Sequence, residues 1–423
     1  MTSFLDGLVA ALLALVLNIW IAARIRAAFP DDEGRFLVRV YFWTLALRYC
    51  GALWLNAYSG DSAFADAYWG DSGTYDMGGY LVALRWTGES FTLPTQALVS
   101  GYGFMYFVGL IYYVVGRNQL FVQFVNGTIG SLAAIVIYAI ARHLFDARAA
   151  RWAALFMAFF PQMIFWSCAM YKDPSILLSI AVSMYSVLRL RERFTARYVL
   201  LFLASCLYLM SLRFYVFYMV AFATLGTFLF AQRRGVFSGL LAQIALVSAF
   251  VAAMIFGVRG ETIEQQSSYF DLEKLQLARA GQATLGKSAF GSDINVSTTE
   301  GALAALPVGL VYLLFAPFPW AISGIRQLMT VPETLVWYAL MPALVRGLLH
   351  TFRYRFRAAL PILVFAVTLT VAYAIFQSNV GTAYRQRTQV TMFFFIFMGA
   401  GLELKKKRVE QRARAPEVPA WQR

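Results

Sequence analysis

The chain has 423 residues, 60% of them hydrophobic and 14% charged, with a formal net charge of +14. A soluble domain cannot hide that much apolar surface, and repeated apolar runs approach the roughly 20 residues that cross a bilayer. The basic excess is arginine scattered through short inter-helix segments, which excludes a nucleic-acid groove and instead sets orientation in a membrane.

The expected fold is therefore an all-α polytopic membrane protein with about eleven transmembrane helices and interfacial or re-entrant helices on the outer face. In chain order, hydropathy predicts spans at 5–23, 36–54, 120–141, 152–169, 176–189, 197–211, 214–231, 236–257, 333–349, 358–376 and 389–403. The first run lacks a basic leader and a small-residue cleavage site, so it is expected to be a retained helix. Two aromatic-rich runs, 103–116 and 303–320, start and end on one side of this scheme and are expected to be interfacial or half-inserted. The organisation is then N-terminal helices (1–54), a first outer loop (55–119), a transmembrane core (120–257), an outer loop with an interfacial segment (258–332), C-terminal helices (333–403) and a disordered basic tail (404–423).

Placing the arginine-rich segments in the cytoplasm puts the N-terminus outside and the C-terminus inside. The polar material then gathers outside: residues 55–119, the Lys172 break, the turn at Ser211–Arg213, loop 258–302 and residues 377–388. Loop 258–302 is expected to hold a short surface helix, either as a lid that orders with substrate or as an ordinary solvated loop. His143 and His350 fall on the cytoplasmic side, which leaves a carboxylate as the candidate base outside. Cys50, Cys168 and Cys206 lie in apolar runs and read as buried small hydrophobes.

Within the first outer loop, Asp61, Asp66, Asp71 and Asp76 recur every five residues, a spacing that does not share one helix face. Asp71 stands out because Tyr75, Tyr80 and Ala83 follow it as a helix begins; the plainer alternative makes it that helix's N-cap. Lys172, the only lysine in the first 270 residues, stands beside Asp173 and Pro174 between two apolar runs. A lysine there can hold a phosphate, while Asp173 can orient it, ligate a metal or cap the following helix. Arg213, Arg385 and Arg387 are placed outside against the positive-inside trend. With Lys172 they form a set suited to a lipid phosphate.

Gly70-Asp71-Ser72-Gly73-Thr74-Tyr75 and Ala83 resemble the first-loop Asp-x-x-x-Tyr pattern of integral-membrane C-type glycosyltransferases, on the branch of protein mannosyltransferases and bacterial lipid-linked sugar transferases. The similarity runs through Gly101-Tyr102-Gly103, Phe124-Val125-Asn126-Gly127, Tyr138 to Phe145 and Phe160-Pro161 to Lys172-Asp173-Pro174. The resemblance implies an enzyme of the bacterial inner (plasma) membrane that works on the periplasmic or extracellular side. It would take a sugar from a polyprenyl-phosphate-linked donor to a glycan, lipid or protein acceptor, with inversion. By position, Asp71 would be the general base. Asp173 would be the second acidic residue, orienting the acceptor or binding a divalent metal (Mg or Mn) together with Asp71. Lys172, Arg213, Arg385 and Arg387, with Tyr75 beside them, would hold the lipid phosphate. A polysaccharide polymerase or ligase acting on polyprenyl-diphosphate-linked repeats is the main alternative, favoured by Arg385-Gln386-Arg387, and a lipid or solute transporter is a further one.

Overall fold

A computed structural model describes residues 4–58, 62–89, 102–229, 271–285, 288–322 and 324–414. They form α1 (Phe4–Ala28), α2 (Asp31–Ala57), α3 (Ser62–Trp86), α4 (Tyr102–Val115), α5 (Gln119–Leu144), α6 (Ala147–Phe159), α7 (Pro161–Cys168), α8 (Asp173–Glu192) and α9 (Ala196–Leu229). After the next described residues come α10 (Leu272–Leu285), α11 (Thr299–Phe315), α12 (Ile325–Leu328), α13 (Val331–His350), α14 (Phe356–Phe376) and α15 (Val380–Arg414). Among the described residues the only strand-like pairing is an isolated bridge between Ala289 and Asn379. Among the described residues six segments are long and apolar enough to cross a membrane, the last of them, Val331–Phe376, containing both α13 and α14. The multi-pass, all-helical expectation is met; the span predicted at 236–257 lies outside the described residues.

Local chemistry explains the boundaries. Asp31, Asp32 and Glu33 open α2, where the helix dipole favours negative charge. Asn118 and Asp146 cap α5 and α6, each accepting from a backbone N–H at 2.9 Å. The run expected to be one span at 152–169 breaks instead into α6 and α7. Phe160 stands before Pro161 with φ −65° and ψ 124°, because proline bars its predecessor from helical geometry. The spans predicted at 197–211 and 214–231 merge into α9, interrupted at Arg213 alone (φ −152°, ψ 89°). A five-residue π-turn, Thr351–Arg355, joins α13 to α14. The tail expected to be disordered continues α15 as helix to Arg414.

Polar pairs mark two ends of the bundle. At one, Lys407 reaches Asp146 at 2.6 Å, Arg148 reaches Glu403 at 3.4 Å, and Arg191 donates to the Arg357 carbonyl at 2.8 Å. These are the segments expected in the cytoplasm. At the other, the first loop, the Lys172 break, the Arg213 interruption and the start of α15 come together. Between them, α5 and α8 are mostly buried, whereas α1 keeps most of its apolar surface on the outside.

Loop 258–302 is organised where it is described. Arg279 on α10 is 4% exposed and donates to the carbonyls of Ile375 (2.5 Å), Gln377 (3.0 Å) and Gly291 (2.8 Å). It thereby satisfies carbonyls that the end of α14 leaves open. Val380 N–H donates to Ser288 and Phe290 N–H to Ser378, so the loop is stitched to the segment that leads into α15.

Candidate active site

Four elements meet at the end opposite the basic loops. Residue 71 lies well inside α3, which starts at Ser62, so the N-cap alternative for Asp71 fails. Its side chain is half-exposed, 50%. Asp173 opens α8, where Pro174 fits the first turn without a missing bond and the carboxylate suits the dipole. Only 1% of its side chain is exposed. Arg213 sits at the break in α9, and Arg385 on the second turn of α15.

Arg385 joins the two acids. Its Nη1 donates to Asp71 Oδ2 at 2.7 Å, while Nε and Nη2 grip Asp173 Oδ2 at 2.9 and 2.6 Å. The guanidinium also lies over the rings of Tyr171 (4.5 Å) and Trp166 (5.0 Å), which fix its plane. Arg213 Nη2 stands 3.5 Å from the other Asp173 oxygen, Oδ1. Both Asp173 Oδ1 and Arg213 Nη1 are buried without a hydrogen-bond partner among the described residues. Lys172 is 8% exposed and stacks its Nζ over Tyr75 at 5.9 Å. Burial, reinforced by Arg213, lowers the Lys172 ammonium pKa to about 8 despite Asp173 and Asp71 nearby. Burial and then Asp71 push the Tyr75 phenol above its ordinary value, so it stays neutral.

The cluster therefore sets three cations, Lys172, Arg213 and Arg385, against two carboxylates, Asp71 and Asp173. One positive charge is left over in a largely buried site, where it favours an anionic ligand. The donor set fits a divalent cation badly. Asp71 and Asp173 converge on Arg385, two further cations press on Asp173, and no group of three or more potential ligands occurs among the described residues.

Arg387 does not join. It is 2% exposed and donates to the carbonyls of Leu314 (3.1 Å) and Ala316 (3.0 Å), with Trp337 and Tyr384 on its faces. Its place in the predicted phosphate set is corrected on that ground: α15 turns residues 385 and 387 to different sides. Nor do the first-loop aspartates cluster. Asp76 accepts from Tyr112 at 2.5 Å and pairs with Arg117, tying α3 to α4 and the start of α5. Asp61 lies outside the described residues, as does the side chain of Asp66.

A cavity of about 790 Å³ adjoins the cluster, touching Arg213, Arg385 and Tyr171 and reaching Gln162 and Glu333. The sequence reading missed Glu333, although Pro332-Glu333 opens α13 much as Asp173-Pro174 opens α8. It also missed Arg48, fully buried on α2 and held by Ser167 Oγ at 2.8 Å and the Ala158 carbonyl at 3.1 Å. No local pattern marks it, since its partners come from α6 and α7.

Residues 100–257 match the family model described as dolichyl-phosphate-mannose-protein mannosyltransferase. No curated protein matches the chain. Among solved structures it is similar to ArnT from Cupriavidus metallidurans bound to undecaprenyl phosphate, with 15% identity and a TM-score of 0.48 over 80% of this chain and 57% of that one. It is also similar to two structures from Archaeoglobus fulgidus. One is the oligosaccharyltransferase AglB in complex with an inhibitory peptide and a dolichol-phosphate (12% identity, TM-score 0.41, 74% of this chain and 43% of that one). The other is the apo oligosaccharyltransferase (12%, 0.43, 88% and 51%). The chain spans about half the length of these structures. The segment matched by the family model, less than half of the chain, carries Lys172, Asp173 and Arg213.

Proposed function

We propose that the protein is a glycosyltransferase that moves a sugar from a polyprenyl-phosphate carrier to an acceptor hydroxyl, at the outer face of a bacterial plasma membrane. The observation that carries this reading is Arg385, shared between half-exposed Asp71 and buried Asp173 in a cluster with one positive charge in excess. A polyprenyl-phosphate sugar is a phosphodiester with one negative charge, which balances that excess. Its phosphate competes with Asp71 for Arg385 Nη1, so donor binding frees the Asp71 oxygen to accept a proton.

Asp71 then takes the proton from the acceptor hydroxyl, whose oxygen attacks the anomeric carbon as the bond to the phosphate oxygen breaks on the opposite face. Polyprenyl phosphate leaves with a second negative charge, stabilised by Lys172, Arg213 and Arg385. Asp173, buried and paired with two arginines, is a positioning residue: through Oδ2 it fixes where Arg385 presents its donors. The outward placement follows from the basic segments collected at the other end of the bundle. The feature favouring the polymerase alternative is Arg385-Gln386-Arg387, and of its two arginines only Arg385 faces the cluster.

The test is release of polyprenyl phosphate from synthetic polyprenyl-phosphate sugars by purified protein, with cell-envelope extract as acceptor. Turnover by wild type that Asp71→Asn abolishes, in a protein that still binds the lipid, is the expected result. Extension of a diphosphate-linked repeat with no consumption of monophosphate donor would replace this reading with the polymerase.

A further inference from the structure

The cavity beside the cluster has a wall that the transfer chemistry does not use. Glu333, at the start of α13, is 5% exposed. The carboxylate accepts from the Gln162 backbone N–H at 2.8 Å through Oε2 and also bonds the Tyr384 hydroxyl, while Oε1 is buried with no hydrogen-bond partner among the described residues. Gln162, at the start of α7 and 1% exposed, gives its amide nitrogen to the Tyr384 carbonyl. That bond fixes the amide orientation and leaves Gln162 Oε1 likewise buried and unpartnered. Both residues line the cavity. Two buried acceptors with no donor are costly, and a ligand that brings hydrogen-bond donors offsets the cost.

The rest of the lining says which donors. Trp54, Phe165 and Trp166 line the same space, and Arg385 and Arg213 open onto it. A polyisoprenoid tail would suit the rings but leave Glu333 and Gln162 unpaired. A sugar ring meets both demands: its C–H face packs on aromatic rings while its edge carries hydroxyl donors. We infer that this cavity is a sugar-binding subsite in which Glu333 Oε1 and Gln162 Oε1 accept hydrogen bonds from hydroxyl groups, next to the phosphate-binding arginines. The assignment rests on the transferase reading of the neighbouring cluster. The sugar is either the one carried by the lipid donor or the terminal residue of a glycan acceptor.

Saturation-transfer NMR with methyl hexopyranosides, on the full chain in nanodiscs, reads the cavity without turnover. Wild type is expected to give a signal that Glu333→Gln and Gln162→Leu each weaken roughly tenfold or more. The two substitutions lie on different helices, so a folding failure in one, seen by size exclusion, leaves the other to decide. Native mass spectrometry with bare polyprenyl phosphate runs in parallel. No lipid binding by wild type would remove the transferase reading while leaving the glycoside result standing. A selective loss of affinity for polyprenyl-phosphate hexose over the bare lipid assigns the subsite to the donor. Unchanged lipid affinities with a raised KM for the glycan acceptor assign it to the acceptor. Glycoside signals, hexose-lipid affinity and acceptor KM all equal in wild type and variants would overturn the inference, as would variants that lose the bare lipid alone.

Discussion

Arg385 and Arg387 stand two residues apart on α15, and their surroundings could hardly differ more. Arg387 donates through Nη1 to backbone carbonyls at the end of α11 and lies against aromatic faces, partners that no substrate displaces. Arg385 is held by two carboxylates, one of them half-exposed, beside a cavity. Carbonyl partners make a guanidinium a structural strut. Carboxylate partners in a site with surplus positive charge make it exchangeable, because an incoming phosphate can take over one of the bonds. The arginines look alike in sequence, and the partner set separates the strut from the candidate for the proposed chemistry.

That contrast can be broken by substitution. Asp71→Asn should lower turnover about 10³-fold while barely moving the unfolding midpoint, since it removes a base from a half-exposed position. A loss of folding instead would make Asp71 part of the scaffold. Arg387→Met should do the reverse. It orphans buried carbonyls, costs about 3 kcal/mol of stability in thermal or denaturant unfolding, and leaves kcat of the folded fraction near wild type. Arg385→Lys keeps the charge but not the fork, and should cost about 10² in kcat/KM for the lipid donor, checked by initial rates across donor concentration.

The pH dependence sharpens the same point. Lys172 must be protonated to hold a phosphate, and its pKa lies near 8, below the ordinary 10.5. Donor kcat/KM should therefore fall as pH rises through 8, roughly tenfold between pH 7 and 9. Lys172→Arg should shift that limb to higher pH. Stability carries the opposite sign: between about 8 and 10.5 the unfolded chain holds the proton and the folded one sheds it, so folding is favoured as pH rises through that window. The smallest effect is expected at Arg279→Met. It loosens α10 from the end of α14 and should cost about 1 kcal/mol, with a modest rise in donor KM through the displaced start of α15.

Much of the candidate cluster was legible because ionisable residues stand out in an apolar chain. Lys172 and Asp173 interrupt two hydrophobic runs, and Arg213 and Arg385 contradict the charge bias of the side to which the arginine pattern assigns them. Asp71 was marked by the motif around it, although the helix there begins earlier than its cap-like sequence implied. Arg387 carried the same signal as Arg385 and was misplaced, because which way each side chain points depends on α11 and α13 packing against α15. Glu333, Gln162 and Arg48 gave no local signal, since each has its meaning in partners contributed by distant helices.

Composition and arginine distribution by themselves determined a helical membrane protein with charged groups kept to the ends of its apolar helices. The reason is that a bilayer penalises every uncompensated charge and every unpaired backbone group. The helix breaks at Pro161 and the start of α8 at Asp173-Pro174 were likewise fixed locally, by the steric limits of proline. Only the tertiary structure decided which charges meet. Asp71 and Arg385 lie 314 positions apart, and their ion pair exists because α3, α8, α9 and α15 pack to one point. No sequence pattern encodes that convergence, because it is the sum of many apolar contacts along those helices, each too weak and too unspecific to be read alone.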